Sequence, residues 1–556
     1  MKRKINLLIL VYLCFAGTLE INAKNEKGKE PKEASTGLEL PEVFADHAVF
    51  QRNQPIPIWG TAKPGKKVSV SFAGQKKSTM TDDKGMWRVE LKAMKASDQG
   101  QELVVVEDKT TLRVKDILIG EVWLCSGQSN MAAKGDIVSW SRTKEIALES
   151  SNSLARIYRG VNPRIMEPID LFNATHRRGT SRGWQIINKG MNIPAYLACA
   201  LNKELKIPVG MVDISVGGTS IQAWMRPELL TGKLAVSEGV LKKMKLIEES
   251  LKKNEAKSVM RYVFGKPTLM NSLCLRPVEG YGVRGVVWYQ GESNLNEKNP
   301  DIYTDLQQAL FDDWRKRWGA DLPFHYVQIG TAKRPFVNQV RKYDKQIMYN
   351  YPSVTFANAQ WRYSQRDKNS AMVTTVDIGD EVHYKAKPDT AARIAMSLLA
   401  RQYGRDEISW QGPTIRSVTL KNKQIILEFD HADGLHAAKV AMLAENDAKS
   451  IVLGKDGVLI KRFSENDSKT LVIREAKDEP VLGFAVLASD NKTWYEVAAV
   501  ITGEIVTLTI PSEVKPIAVA GGAIFCTSDK KNVFLPNCYN KDALPLVAFY
   551  ENLTSK

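Results

Sequence analysis

Residues 117–131 read Ile117-Leu118-Ile119-Gly120-Glu121-Val122-Trp123-Leu124-Cys125-Ser126-Gly127-Gln128-Ser129-Asn130-Met131. The apolar run from Ile117 to Cys125 has the length of a buried strand, and it ends in Gly-Gln-Ser. From here the pattern repeats. Val209 to Val216, Gly285 to Tyr289, Phe324 to Ile329, Val354 to Ala359 and Val373 to Ile378 read as further strands. Ile193 to Leu205, Ile302 to Trp318 and Thr390 to Tyr403 read as helices, and Ile394, Leu398 and Arg401 of the last follow the 3.6-residue period. Strands alternating with helices of this length define an α/β unit, an open parallel sheet covered by helices on both faces. It is expected over residues 116–409. Within it, residues 233–262 are highly charged and helical, which marks a solvent-facing excursion.

On either side the pattern is all-β. Over residues 38–115, Pro55 to Gly60, Lys67 to Phe72 and Glu102 to Val106 alternate or are rich in β-branched residues, and Pro64-Gly65 and Asp82 to Gly85 punctuate them. Two prolines place the first of these at a sheet edge. Over residues 410–556, Ile415 to Leu420, Gln424 to Phe429, Gly483 to Ala488 and Ile505 to Ile510 repeat the theme. Residues 24–37 form a polar leader. Residues 1–23 have a basic start (Lys2, Arg3, Lys4), an apolar run from Leu7 to Phe15 and the small Ala23 last, the pattern of a signal peptide. No later run approaches the roughly 18 apolar residues of a transmembrane helix. The mature chain is therefore expected to be exported, periplasmic or secreted, without stable membrane insertion. Lipid attachment at Cys14 is the minor alternative, because the large Leu13 precedes it.

Composition narrows the function classes. The chain has 556 residues, 44% apolar and 25% charged, which excludes a disordered, collagen-like or small disulfide-scaffold protein. Its net charge of +16 is spread along the chain, with no zinc-finger spacing, so a basic surface is expected and not nucleic-acid binding. Removing Cys14 leaves Cys125, Cys199, Cys274, Cys526 and Cys538, whose spacing matches no metal site. Cys526 and Cys538 are the candidate disulfide, and the others are expected as buried thiols.

Three strand ends carry the chemistry, since open α/β sheets bind ligands at the carboxyl ends of their strands. Gly127-Gln128-Ser129 can expose a hydroxyl beside backbone N–H groups, although alone it reads as a strand-to-helix turn with a capping serine. Gly217-Gly218-Thr219 lets backbone approach a ligand, but no Walker lysine or dinucleotide fingerprint accompanies it. Gln290-Gly291-Glu292-Ser293-Asn294 groups side-chain amides that can donate to an oxyanion. A serine nucleophile needs a base, and there are six histidines. His325 lies inside an apolar strand and reads as core. His383 follows a strand end and has Asp380 three residues before it, a carboxylate able to orient an imidazole.

Together these blocks resemble the sialate O-acetylesterase family of SGNH (GDSL-like) hydrolases. The resemblance rests on Cys125 to Met131, on Gly217-Gly218-Thr219 with Ala223-Trp224, on Trp288 to Asn294, and on Asp377-Ile378-Gly379-Asp380. The ending Asn537-Cys538-Tyr539-Asn540 with Leu544-Pro545 is similar too. It implies an SGNH, flavodoxin-like three-layer domain between two β-domains, and an esterase that removes O-acetyl groups from carbohydrate without metal or organic cofactor. Ser129 becomes the nucleophile and His383 the base. Oxyanion donors are the N–H groups of Ser129 and Gly218 and a side chain, Gln290 or its competitor Asn294. Where the family has Ile-His-Pro, this chain has Val382-His383-Tyr384 in a shortened segment; Asp380 is the expected acid orienting His383, with Glu381 and a backbone carbonyl as the alternatives. Trp224, Trp288 and Glu292 are the expected sugar contacts, with Trp361 and Arg362 nearby. Acetylated sialic acid is the first expected substrate. A plant-type polysaccharide such as xylan, a lipase-like ester, and a non-catalytic glycan-binding role are the alternatives.

Overall fold

A computed structural model describes residues 37–132, 154–161, 163, 181–187, 192–253, 263–295, 299–330, 348–349, 351–377, 383, 387–442, 451–453, 460–462, 471–475, 480–491, 493–522, 525–526, 533–534 and 536–553. The expected signal peptide and the leader up to residue 36, together with Asp380 and Glu381, lie outside them.

The centre is a sheet of β1 (Thr110–Gly127), β2 (Ala155–Arg159), β3 (Gly183–Ile186), β4 (Val209–Asp213), β5 (Gly285–Tyr289), β6 (Phe324–Gln328) and β7 (Ser370–Thr374). Their spatial order is β7-β6-β5-β1-β4-β2-β3. All neighbours pair in parallel except β2 with β3. In β4, β5 and β6 every residue is buried, which is why these strands read as unbroken apolar runs. The sheet carries α1 (Ser129–Ala132), α2 (Ile193–Leu205), α3 (Glu238–Lys252), α4 (Ile302–Trp318), α5 (Tyr351–Arg366) and α6 (Lys387–Gln402). Local chemistry fixes their ends. Asn192 caps α2 by accepting from the Ala195 N–H at 3.2 Å, and α4 stops at Gly319 in a left-handed conformation. Of the charged stretch 233–262, Glu238–Lys252 form α3, and residues 254–262 lie outside the described residues.

β1 is the spine. Its first part pairs antiparallel with the strand Ser97–Glu107 of the N-terminal β-region, and its second part is the middle of the parallel sheet. The change of architecture expected near residue 116 thus falls inside one strand. The strand Ile56–Thr61, which contains Pro57 and follows Pro55, pairs with Met86–Leu91 alone among the described strands, as an edge strand should. Beyond residue 410 the described elements are strands, and they are tied to the sheet: Gln328 Nε2 donates to the Ala548 carbonyl at 2.9 Å.

Three expectations are corrected. Val354 to Ala359 is not a strand but the interior of α5. A short apolar run fits either element, and its burial under α4 and the sheet hides the helical period. The strand expected at Val373 to Ile378 is β7, which ends at Thr374. Cys538 is a free, buried thiol, so it forms no disulfide with Cys526.

His325 is the core histidine its context implies. Its ring meets Trp123 edge-on at 5.6 Å, and Nδ1 lies 2.7 Å from Ser397 Oγ. Burial holds its pKa down at about 3. The ring is neutral in the fold but protonated in the unfolded chain below about pH 6.5. Its contribution to stability is therefore lost as pH falls from about 6.5 toward 3, at up to about 1.4 kcal/mol per pH unit. In urea unfolding between pH 4 and 7, His325→Gln should flatten the pH slope by about one proton. An unchanged slope would show that His325 is not held neutral.

Candidate active site

β1, β4 and β5 end side by side, and a glycine lets them meet. Gly127 has φ +124°, and a Cβ there would lie 2.1 Å from the Tyr289 carbonyl oxygen at the end of β5. That carbonyl accepts from the Gln128 N–H at 2.9 Å, and the Gln128 carbonyl then accepts from Met131 and Ala132 to start α1. On the other flank the Val216 N–H donates to the Gly127 carbonyl at 3.0 Å, fixing the loop after β4. Gly218 in that loop is exposed, with φ +82°.

A buried amide network sews the three loops together. Gln290 Nε2 donates toward Gln128 Oε1 (3.1 Å), the Thr219 carbonyl (3.1 Å) and Asn294 Oδ1 (2.8 Å), while its Oε1 accepts from Tyr303 at 2.7 Å. Asn294 accepts from the Ile221 N–H at 3.0 Å and donates to Gln222 Oε1 at 2.9 Å. Gln128 Oε1 also accepts from the Ser293 N–H at 3.2 Å.

On this support stands Ser129, the half-buried first residue of α1. His383 Nε2 lies 2.9 Å from its Oγ, although the two are 254 residues apart. His383 is exposed, between the end of β7 and the start of α6. Buried groups hold both ends of this stretch. Arg393 on α6 grips Asp377 with two hydrogen bonds of 2.7 and 2.8 Å, and Tyr539 donates to Asp377 at 3.1 Å. At the other end Lys387 Nζ donates to Asn130 Oδ1 at 2.5 Å. Asn130 in turn donates to Glu292. Burial lowers the Lys387 pKa to about 7 against the opposing pull of Glu292, and burial raises the Glu292 carboxyl.

Several sequence expectations change here. Trp224 and Trp288 are wholly buried, 6.1 Å apart and edge to face, with their N–H groups on Thr219 and Tyr303. Neither can lie against a sugar; they pack the sheet. Trp361 and Arg362 sit on α5, and Arg362 pairs with Asp301 at 3.2 Å. Glu292 is partly buried and accepts from Asn130. Gln290 is fully buried, and its two N–H bonds are shared among three acceptors, so it holds loops and presents no unspent donor. Sequence reasoning missed Lys387 and Arg393. A lysine in Lys385-Ala386-Lys387-Pro388 reads as surface charge, although Pro388 does signal the first turn of a helix.

A parallel α/β sheet whose strand ends gather a hydroxyl, an imidazole and glycine-rich loops defines an enzyme of the hydrolase type. Comparison with known proteins makes this specific. The family model for carbohydrate esterase, sialic acid-specific acetylesterase, matches residues 119–382. The mouse sialate O-acetylesterase is 26% identical over 436 residues, covering 70% of this chain and 78% of that protein. The human sialate O-acetylesterase is 27% identical over 446 residues, covering 73% and 79%. A carbohydrate acetylesterase from Xanthomonas citri has a similar fold, with TM-score 0.68 and 22% identity over 93% of this chain and 99% of that one. Residues 119–382 thus match the sialic acid-specific acetylesterase family of carbohydrate esterases, and by its likeness to that family and to the curated relatives the chain is a carbohydrate acetylesterase.

The glycine contact gives a direct test. Gly127→Ala should lower the melting temperature and cut esterase activity at least tenfold, since both its φ and the Tyr289 contact forbid a Cβ, a strain of order 1–3 kcal/mol or more. A variant with wild-type melting and activity would show that β1 and β5 need not approach so closely.

Proposed function

We propose that this protein hydrolyses O-acetyl esters of sialic acid through an acetyl-serine intermediate. The observation that carries the reading is the 2.9 Å contact of His383 Nε2 with Ser129 Oγ at the carboxyl edge of the parallel sheet. A hydroxyl is a weak nucleophile until a base takes its proton. Ser129 Oγ attacks the acetyl carbonyl carbon as its proton passes to His383. The N–H groups of Ser129 and Gly218 stabilise the oxyanion; Gln290 would join them only by giving up one of its loop contacts. Collapse breaks the bond to the sugar oxygen, which takes the proton from His383. His383 then deprotonates water, which attacks the acetyl-serine carbonyl; the bond from Ser129 Oγ to the acyl carbon breaks, Oγ takes the proton back from His383, and acetic acid leaves and ionises to acetate. Asp380 is our choice for orienting the imidazole, ahead of Glu381 and a backbone carbonyl. The chemistry requires neither metal nor organic cofactor.

Support for the fold assignment, a flavodoxin-like SGNH domain, comes from the strand order. With β2 and β3 set aside, the order β4-β1-β5-β6-β7 is second, first, third, fourth, fifth in the chain. The flanking β-regions, 38–115 and 410–556, brace this domain, and residues 1–23 direct export to the periplasm or beyond. The family description and the names of the curated relatives favour sialate over xylan.

Acetate release from 9-O-acetylated sialic acid and from acetylated xylan tests the proposal. Ser129→Ala and His383→Ala should each lose roughly 10⁴-fold or more in kcat. Asp380→Asn should lose activity strongly but less completely. Wild-type activity in Ser129→Ala would remove the serine mechanism, and full activity in Asp380→Asn would remove the acid. Release from xylan alone would keep the mechanism and move the substrate.

A further inference from the structure

Lys387 stands where local physics opposes a cation twice. It is only 3% exposed, and it is the first residue of α6, whose N-terminal dipole disfavours positive charge. A buried ion pair often yields no more stability than apolar residues of similar volume. The side chain instead has a specific partner. Lys387 Nζ donates to Asn130 Oδ1, and Asn130 Nδ2 donates to Glu292 Oε1. Asn130 is 2% exposed and directly follows Ser129.

The polarity of this chain matters. An amide can turn end over end unless its two sides face different groups. An ammonium only donates and a carboxylate only accepts. Lys387 on one side and Glu292 on the other therefore allow Asn130 one orientation. The three residues come from α6, which follows the His383 segment, from α1, which begins with Ser129, and from the loop after β5.

We propose that Lys387, acting through Asn130 and Glu292, is a positioning residue that fixes α1 and Ser129 in register with the His383 segment. The inference rests on Ser129 and His383 being the reacting pair. In this reading Lys387 acts on Ser129 through Asn130 and not at the ester. It ties the nucleophile's helix to the element that follows the base, and Glu292 ties the same helix to the loop after β5. Burial, which lowers the Lys387 pKa to about 7, leaves the cation dependent on this polar chain for its charged state.

A charge-swap series tests the inference. Asn130→Asp is nearly isosteric, so a packing role would tolerate it. It keeps the Lys387 contact but sets two carboxylates face to face. Glu292→Gln added to it restores a donor opposite the introduced carboxylate and returns the chain to net neutrality. With an aryl acetate as substrate, Asn130→Asp should lose about 10–100-fold in kcat with KM within about threefold, the scale of a small misplacement of reacting groups. The double variant should regain at least about tenfold of that kcat. Lys387→Met, measured alongside, should lose kcat and not KM. A folded Asn130→Asp with wild-type kcat, or a double variant no faster than the single one, overturns the inference. Ser129→Ala in the same assay separates the two readings: if it stays active, the serine mechanism fails. If it is dead while Asn130→Asp is unimpaired, only the positioning role fails.

Discussion

Two strand ends meet where Gly127 has no side chain. The Tyr289 carbonyl approaches so closely that only a glycine with positive φ can stand opposite it. Gln128 can then bond that carbonyl through its N–H, and its own carbonyl starts the short helix led by Ser129. The same approach brings the Gln128 side chain against Gln290 and the Ser293 N–H. The nucleophile candidate, the amide network and the loop after β5 therefore share one geometric condition. β1 delivers it because the strand is anchored twice, in the N-terminal β-region and in the middle of the parallel sheet.

The second element of the site comes from far along the chain, and buried charge holds it. Asp377 and Arg393 form a fully buried, two-bonded pair at the end of β7, and Tyr539 from the C-terminal β-region completes it. Paired in this way, the charges avoid the penalty of lone burial and give a fixed orientation that one apolar contact would not. At the start of α6 the buried Lys387 ammonium donates to the neutral amide of Asn130. His383 is exposed between these anchors, where an imidazole can exchange protons with solvent and substrate. The C-terminal region thereby bears on the site although its described residues lie outside the family match at 119–382.

Much of this was legible in the sequence. The apolar run into Gly-Gln-Ser marked β1 and its functional end, and the 3.6-residue period bounded α2 and α4 at the residues observed. The Ser129–His383 pairing followed from chemical need, since few histidines stood at strand ends. Periodicity failed where burial is uniform: Val354 to Ala359 is apolar enough for a strand yet belongs to α5. The tryptophans misled for a related reason. Proximity in sequence to site motifs does not say which way a ring points, and Trp224 and Trp288 point into the core. Lys387 was hidden because a lysine near other lysines looks solvated, and only the third dimension reveals its burial. The amide network escaped too, because nothing in the sequence tells side-chain amides that donate to an oxyanion from amides that tie loops together.

The central claim is that Ser129 is a nucleophile activated by His383. Covalent trapping tests it most directly. Full-length wild-type protein is treated with an organophosphonate, and the adduct is mapped by mass spectrometry beside His383→Ala. The account predicts one adduct, on Ser129, formed far more slowly without the histidine. An adduct on another residue, or none on wild-type protein active in acetate release, would contradict it.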